Sequence, residues 1–279
     1  MSDFWFLSFA NTALDGLIRS PIKRIRRQAE AMGVFGNHIR VWTENDLDED
    51  FKARMKDRLR PGSRGYGYWC WKPQIVLQLL REMKEGDVLL YADAGCHLNP
   101  QGVPRLMDYF KLAGEHGIVT FQARTQDDPP FHFLADGDWC KGDLLDFFGA
   151  RDDASMTRTG QLGGGVFLVC KSQMTQEFFH AFKNLMVDHF ELCDDSPSRS
   201  PNLPGFVENR HDQSVFSLLG KRRGVFSLSS LEYDPRNGGD DWSGMCRFPI
   251  WAKHDKGGVR SLFPVWFKNI VHRATGGRV

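Results

Sequence analysis

Short apolar runs alternate along this chain with longer stretches that carry hydrophobic residues at helical spacing. Phe4–Ala10 is an apolar run ending at Asn11-Thr12, which predicts a first strand leading into a loop. Ser20-Pro21 opens a helix with Ile22, Ile25, Ala29 and Met32 on one face and Lys23, Arg24, Arg26 and Arg27 on the other. The four bases read as a solvated helix face; the competing reading is attraction to an anionic membrane or to phosphates. His38–Trp42 predicts a second strand. Pro73 starts a helix whose buried stripe is Val76, Leu79, Leu80 and Met83, and Asp87–Tyr91 predicts the next strand. Further on come a helix over Val103–Ala113, a strand over Gly117–Phe121, a short helix over Leu144–Phe148 and a strand over Gly165–Cys170. Thr175–Phe190 reads as an amphipathic helix with Phe178, Phe182, Leu185 and His189 together, Ser196–Gly205 as an exposed loop, and Asn209–Leu219 as a last helix. This alternation predicts an α/β protein with a mostly parallel sheet covered by helices on both faces.

Composition narrows the class only a little. The 279 residues are 41% hydrophobic and 25% charged, ordinary for a globular chain, and the net charge of +1 gives no basis for bulk nucleic-acid binding. Charge is uneven, however: Arg247–Val279 holds seven Lys/Arg against the single acid Asp255. The six cysteines form no CxxC pair, which excludes a zinc ribbon, and Cys96 and Cys170 follow apolar runs as reduced thiols of a cytosolic protein would. Met1-Ser2-Asp3-Phe4 lacks the start of a signal peptide, and no run of about 18 apolar residues is present. A cytoplasmic location is therefore expected.

Candidate chemistry gathers in a few places. Asp93 ends the run Val88-Leu-Leu-Tyr-Ala92, at the carboxyl end of a strand, where open α/β sheets meet their ligands. Lys72 precedes Pro73 at a helix start, a place that favours phosphate, and Arg64 adds a planar donor fork upstream. The intervening aromatics include Trp69 and Trp71, which read either as core or as sugar-stacking faces. Gly163, Gly164 and Gly165 precede a strand and mark close approach of the backbone to a ligand or another strand. Asn209-Arg-His211-Asp212-Gln213 opens a helix, where Asp212 reads as a cap or as a site carboxylate. His254 is followed by Asp255, Lys256 and Gly257; with Asp93 it would suit Mn²⁺ or Mg²⁺ completed by phosphate oxygens. No GxGxxG or Walker A sequence is present.

In this order the motifs resemble the GT-A fold glycosyltransferases, in particular the family that includes bacterial lipopolysaccharide galactosyltransferases and glycogenin. Tyr91-Ala-Asp93-Ala-Gly95 stands for the Leu-Asp-Ala-Asp type motif and Gly163-Gly-Gly-Val-Phe-Leu for the Asn-Ala-Gly-Val strand. Asp212-Gln213 stands for the Asp-Gln helix start and His254-Asp-Lys-Gly257 for the late His loop. Gly95 replaces the second acid of the DxD motif, so one metal ligand of the family is missing. The resemblance implies a GT-A-like, Rossmann-related domain over residues 1–258 with a basic-aromatic tail over 259–279. It also implies transfer of a sugar from a nucleotide-diphosphate donor to a glycan or lipid-linked acceptor, as in bacterial surface polysaccharide or lipopolysaccharide synthesis, with retention of configuration favoured. The expected roles are Asp212, Gln213 and Asp93 in catalysis, and Arg64, Lys72, Asp93, Lys256 and Gly257 on the donor phosphates. Trp69, Trp71, Gly163, Gly164, Gly165 and His211 are expected on sugar or acceptor, and Asp93 and His254 on a divalent cation. The tail reads either as a docked helix or as a peripheral contact with the cytoplasmic membrane face. Two other classes stay open. One is a glycan hydrolase using Asp93 and Asp212 as paired carboxylates, the other a non-catalytic sugar-binding module using Trp69 and Trp71.

Overall fold

The computed structural model describes residues 2–12, 20–123, 134–234 and 242–255. Lys256, Gly257 and the tail from 259 onward lie outside the described residues. Among the described residues eight strands are formed: β1 (Phe4–Phe9), β2 (Ile39–Trp42), β3 (Val88–Ala92), β4 (His97–Leu98), β5 (Ile118–Gln122), β6 (Val166–Cys170), β7 (Phe226–Ser229) and β8 (Ile250–Trp251). The longer helices are α1 (Pro21–Ala31), α2 (Trp71–Glu82), α3 (Val103–His116), α4 (Gln173–Asp188) and α5 (Asp212–Arg222). Among the described residues, no helix is long and apolar enough to cross a membrane.

Six strands make one sheet in the order β2-β1-β3-β6-β5-β7. β1 pairs in parallel with β2 and β3, and β5 with β7, whereas β6 runs antiparallel to both β3 and β5. The sheet is thus mixed but mostly parallel, as the alternation of elements predicts. Both faces are buried. Along β1, Trp5, Leu7 and Phe9 enter the core layer shared with α2, α4 and α5, while Phe6 enters the layer shared with α1 and α3. β3 does the same: Leu89 and Tyr91 face one layer, and Val88, Leu90 and Ala92 the other. Strands buried on both sides explain the near-continuous apolar runs.

Two local expectations change. α4 ends at Asp188, so His189 leaves the buried face and is exposed; Met186 fills that stripe beside Phe178, Phe182 and Leu185. In α1, Lys23, Arg26 and Arg27 are exposed as a solvated face should be, but Arg24 is largely buried, with 15% of its side chain accessible. The loop after β3 and the segment around residue 255 fold over it. Spacing within the helix carries no trace of that cover.

The reversed direction of β6 sets the geometry of one sheet edge. It brings the start of β6 beside the end of β3, pairing Val166 with Ala92, so the glycines that precede β6 arrive at the carboxylate that follows β3. The Asp93 N–H donates to the Gly165 carbonyl at 2.8 Å, carrying the ladder one step past both strands.

Candidate active site

Four chain segments meet at this edge: the end of β3, the glycine run before β6, and the first turns of α2 and α5. At their centre is the Lys72 ammonium, in a side chain only 3% exposed. It donates to Asp212 Oδ2 at 2.5 Å and to the Gly164 carbonyl at 2.9 Å, and lies 3.4 Å from Asp93 Oδ1. Lys72 also sits 5.4 Å from the centre of the buried Tyr91 ring, whose hydroxyl donates to Asp93 Oδ1 at 2.6 Å. A buried ion must be paired to be tolerated, and here one cation serves two carboxylates.

Exposure divides the two acids. The Asp212 side chain is 8% exposed, that of Asp93 39%, so Asp93 opens toward solvent while Asp212 forms the floor. Burial pushes the Asp212 pKa up to about 6, against the attraction of Lys72 and the hydrogen bond from the Gln213 backbone. Burial pulls the Lys72 pKa down, but the fields of Asp212 and Asp93 outweigh it and leave it raised. At neutral pH both are charged, an ion pair whose acid can still exchange a proton near pH 6. Burial, followed by the field of Asp93, raises the Tyr91 hydroxyl well above its ordinary value, so it remains a proton donor to Asp93.

The glycine run is explained by crowding. A side chain at Gly164 would come within 3.2 Å of the Gln213 Cα, and one at Gly165 within 3.0 Å of Asp93 Oδ2. The close approach expected there is therefore to α5 and to Asp93 itself. Gln213 turns aside to donate to Gln161 Oε1 at 2.6 Å.

The aromatic segment folds in a way composition does not reveal. Gly65, Tyr66, Gly67, Tyr68 and Trp69 all have positive φ, making one turn of left-handed helix. Each non-glycine residue there costs about 1–2 kcal/mol, so the turn needs support. The Trp69 ring lies against the bare Cα of Gly65, where an added Cβ would be 2.3 Å from the ring, and the Trp71 indole N–H donates to the Gly65 carbonyl at 3.0 Å. Trp71 itself is buried and stacked on Phe9 at 3.9 Å, which removes it from any sugar-facing surface. Trp69 stacks on His211 at 5.7 Å, and Tyr68 approaches the same imidazole at 4.9 Å. His211 is buried with φ +55°, and its Nδ1 meets the Cys193 carbonyl at 2.7 Å. This residue directly precedes Asp212, so the aromatic segment braces the start of α5. Arg64 pairs with Asp195 at 3.0 Å and Glu208 at 3.5 Å on the rim.

On the opposite flank of Asp93, His254 packs its backbone against Gly95: the Cβ position of Gly95 is 3.4 Å from the His254 Cα. The imidazole is exposed. The structure thus gathers Asp93, Lys72, Asp212, Gly164 and Gly165 and brings the His254 segment to the loop after Asp93, whereas the Gln213 side chain turns to Gln161 and Gly163 lies against Tyr233 and Phe121. Arg64, Trp69, Trp71 and the buried His211, expected on donor, sugar or acceptor, engage other partners instead. Sequence reasoning missed Tyr91, hidden as a strand residue, and Asp234, which burial raises and His254 opposes. It also missed the inward role of Arg24.

Among the described residues, no group of three or more His, Cys, Asp and Glu is placed to hold a metal ion. Asp93 nevertheless keeps Oδ2 without a hydrogen-bond partner among those residues, since Tyr91 and Lys72 both engage Oδ1. One carboxylate plus an accessible imidazole would fit a cation completed by substrate phosphates and water rather than an all-protein cage, and the imidazole suits Mn²⁺ better than Mg²⁺.

A pH effect arises from the polar network behind this loop. His97 lies 3.2 Å from Asp255 Oδ2 and 3.2 Å from Gln28 Nε2. Burial, then the Arg24 charge, lower its pKa from 6.5 to about 4. A depressed histidine contributes stability that is complete above about pH 6.5 and is lost as pH falls toward 4. Thermal melts across that window are expected to fall by about 1–2 kcal/mol more for the wild type than for His97→Gln, allowing for solvent reaching the ring.

No protein-family model and no curated protein matches the chain. Solved structures similar to it include glycosyltransferases. One is a glycosyltransferase involved in glycosylation of the major capsid of PBCV-1, with 10% identity, 91% of this chain and 97% of that chain covered, and a TM-score of 0.45. Mouse xyloside xylosyltransferase 1 has 10% identity, covers 90% and 97%, and scores 0.45. The galactosyltransferase LgtC, solved with donor and acceptor sugar analogues, has 12% identity, covers 89% and 86%, and scores 0.44. At such identities and scores the activity of this chain has to be argued from its own side chains.

Proposed function

We propose that this chain is a glycosyltransferase that moves a sugar from a nucleoside-diphosphate donor to an acceptor hydroxyl of a glycan or lipid-linked glycan, as in bacterial surface polysaccharide synthesis. The observation that carries the reading is the Lys72 ammonium held between Asp93 and Asp212 at the carboxyl edge of β3. Sugar transfer passes through an oxocarbenium-like centre and expels a diphosphate, so it needs negative charge beside the sugar and positive charge beside the phosphates. Asp212, kept ionised by Lys72, supplies the first. Its place on the floor suits a stabiliser of the sugar centre, with retention of configuration the favoured outcome. Asp93 and His254 would hold a divalent cation, which supplies positive charge to the departing diphosphate.

The hydrolase alternative is less well supported. Paired glycosidase carboxylates must act independently, one of them as a free acid. Here a single lysine joins both.

The test is transfer by the purified full chain from a panel of nucleotide sugars, following release of nucleoside diphosphate. Asp93→Asn is expected to lower turnover about a hundredfold or more while the melting curve keeps its shape. Near-normal turnover in that variant would remove Asp93 from the chemistry, and hydrolysis of glycans without any nucleotide sugar would favour the hydrolase.

A further inference from the structure

Outside the Lys72 cluster, Arg24 is a largely buried charge that bridges two segments next to Asp93. Its Nη1 donates to the Cys96 carbonyl at 2.6 Å, and its Nη2 donates to the carbonyls of Ala94 at 2.6 Å and Asp255 at 3.0 Å. The Asp255 N–H in turn donates to the Gly95 carbonyl at 2.9 Å. Every carbonyl of residues 94–96 is therefore held by α1 or by residue 255. Gln28, one turn along α1, reinforces the arrangement: it accepts from Arg24 at 3.2 Å and from the Leu98 N–H at 3.2 Å. Two segments far apart in sequence, one following Asp93 and the other carrying His254, are fastened together by one guanidinium.

We infer that Arg24 is a positioning residue for the donor half of the site, fixing the loop after Asp93 to the His254 segment so that both present a set spacing to a nucleoside diphosphate. The inference rests on the glycosyltransferase reading and adds a residue that spacing had placed in solvent. A planar fork reaches these three carbonyls from two nitrogens fixed in one plane, whereas a lysine would offer its three protons from a single nitrogen with a different reach. Among the described residues Arg24 makes no hydrogen bond to Lys72 or Asp212, so its loss acts through the Asp93 and His254 segments.

Binding of UDP, GDP, ADP and CDP is measured by calorimetry for the wild type, Arg24→Lys and Arg24→Gln, with steady-state kinetics on the matching nucleotide sugar. Both variants are expected to weaken the bound nucleotide about tenfold or more and to raise donor KM equally. In Arg24→Ala, millimolar guanidinium is expected to restore part of the affinity where equal sodium chloride does not. Folded variants that bind nucleotide like the wild type, or that lose kcat at unchanged KM, overturn the inference alone. A wild type that binds none of the four nucleotides overturns the glycosyltransferase reading, and the inference with it. Should Arg24→Ala fail to fold, Arg24→Lys and Arg24→Gln still decide the matter.

Discussion

Asp212→Ala is expected to abolish sugar transfer, lowering kcat about a thousandfold, while nucleoside diphosphate affinity stays within a few-fold of the wild type. The reasoning is positional. Asp212 opens α5, is 8% exposed, and directs its carboxylate into the floor of the cleft toward Lys72. The proposed cation ligands, Asp93 and His254, belong to other segments, so the donor diphosphate keeps its anchor when Asp212 is removed. Calorimetry with nucleoside diphosphates, run beside a transfer assay, separates the two effects. Because the Asp212 pKa is pushed up to about 6, wild-type transfer is expected to fall as pH drops through that value and the carboxylate protonates. Loss of nucleotide binding with undiminished turnover at saturation would reverse the assignment.

Lys72→Met is expected to cost about 3–5 kcal/mol of stability, read from urea unfolding at neutral pH. Methionine retains the apolar stem of the lysine and its volume, so packing changes little. What disappears is the single cation facing two carboxylates, leaving Asp212 buried and unpaired and the Gly164 carbonyl without its donor. The double variant Lys72→Met/Asp212→Asn is expected to recover much of the loss, because no uncompensated charge remains. A double variant no more stable than Lys72→Met would show that packing, rather than charge, sets the cost.

Much of the architecture was legible in the chain because both sheet faces are buried. Strands such as Val88–Ala92 stand out as apolar runs, and α1, α3 and α4 show their stripes; α2 departs from its expected stripe, starting at Trp71 and being buried at every position to Leu80. The direction of β6 was not legible, since an apolar run reads the same in either sense. Asp93, Lys72 and Asp212 could be singled out one by one, yet their union could not. Lys72 and Asp212 are 140 positions apart, and nothing in local spacing signals that the ammonium turns inward to a carboxylate. Arg24 failed for the same reason: helical spacing assigns it to the polar face, while its partners lie 70, 72 and 231 positions away. The two glycines in Arg64-Gly-Tyr-Gly-Tyr did signal backbone freedom. That the following aromatics would join them in a left-handed turn depended on tertiary support from Trp71 and His211.

The trio at this sheet edge does not balance: two carboxylates face one ammonium, a formal surplus of one negative charge. For the proposed reaction this asymmetry acts twice. It favours the electron-poor sugar carbon as the glycosidic bond to phosphate loosens, and it leaves Asp93 with a charge that a divalent cation beneath the departing diphosphate would offset.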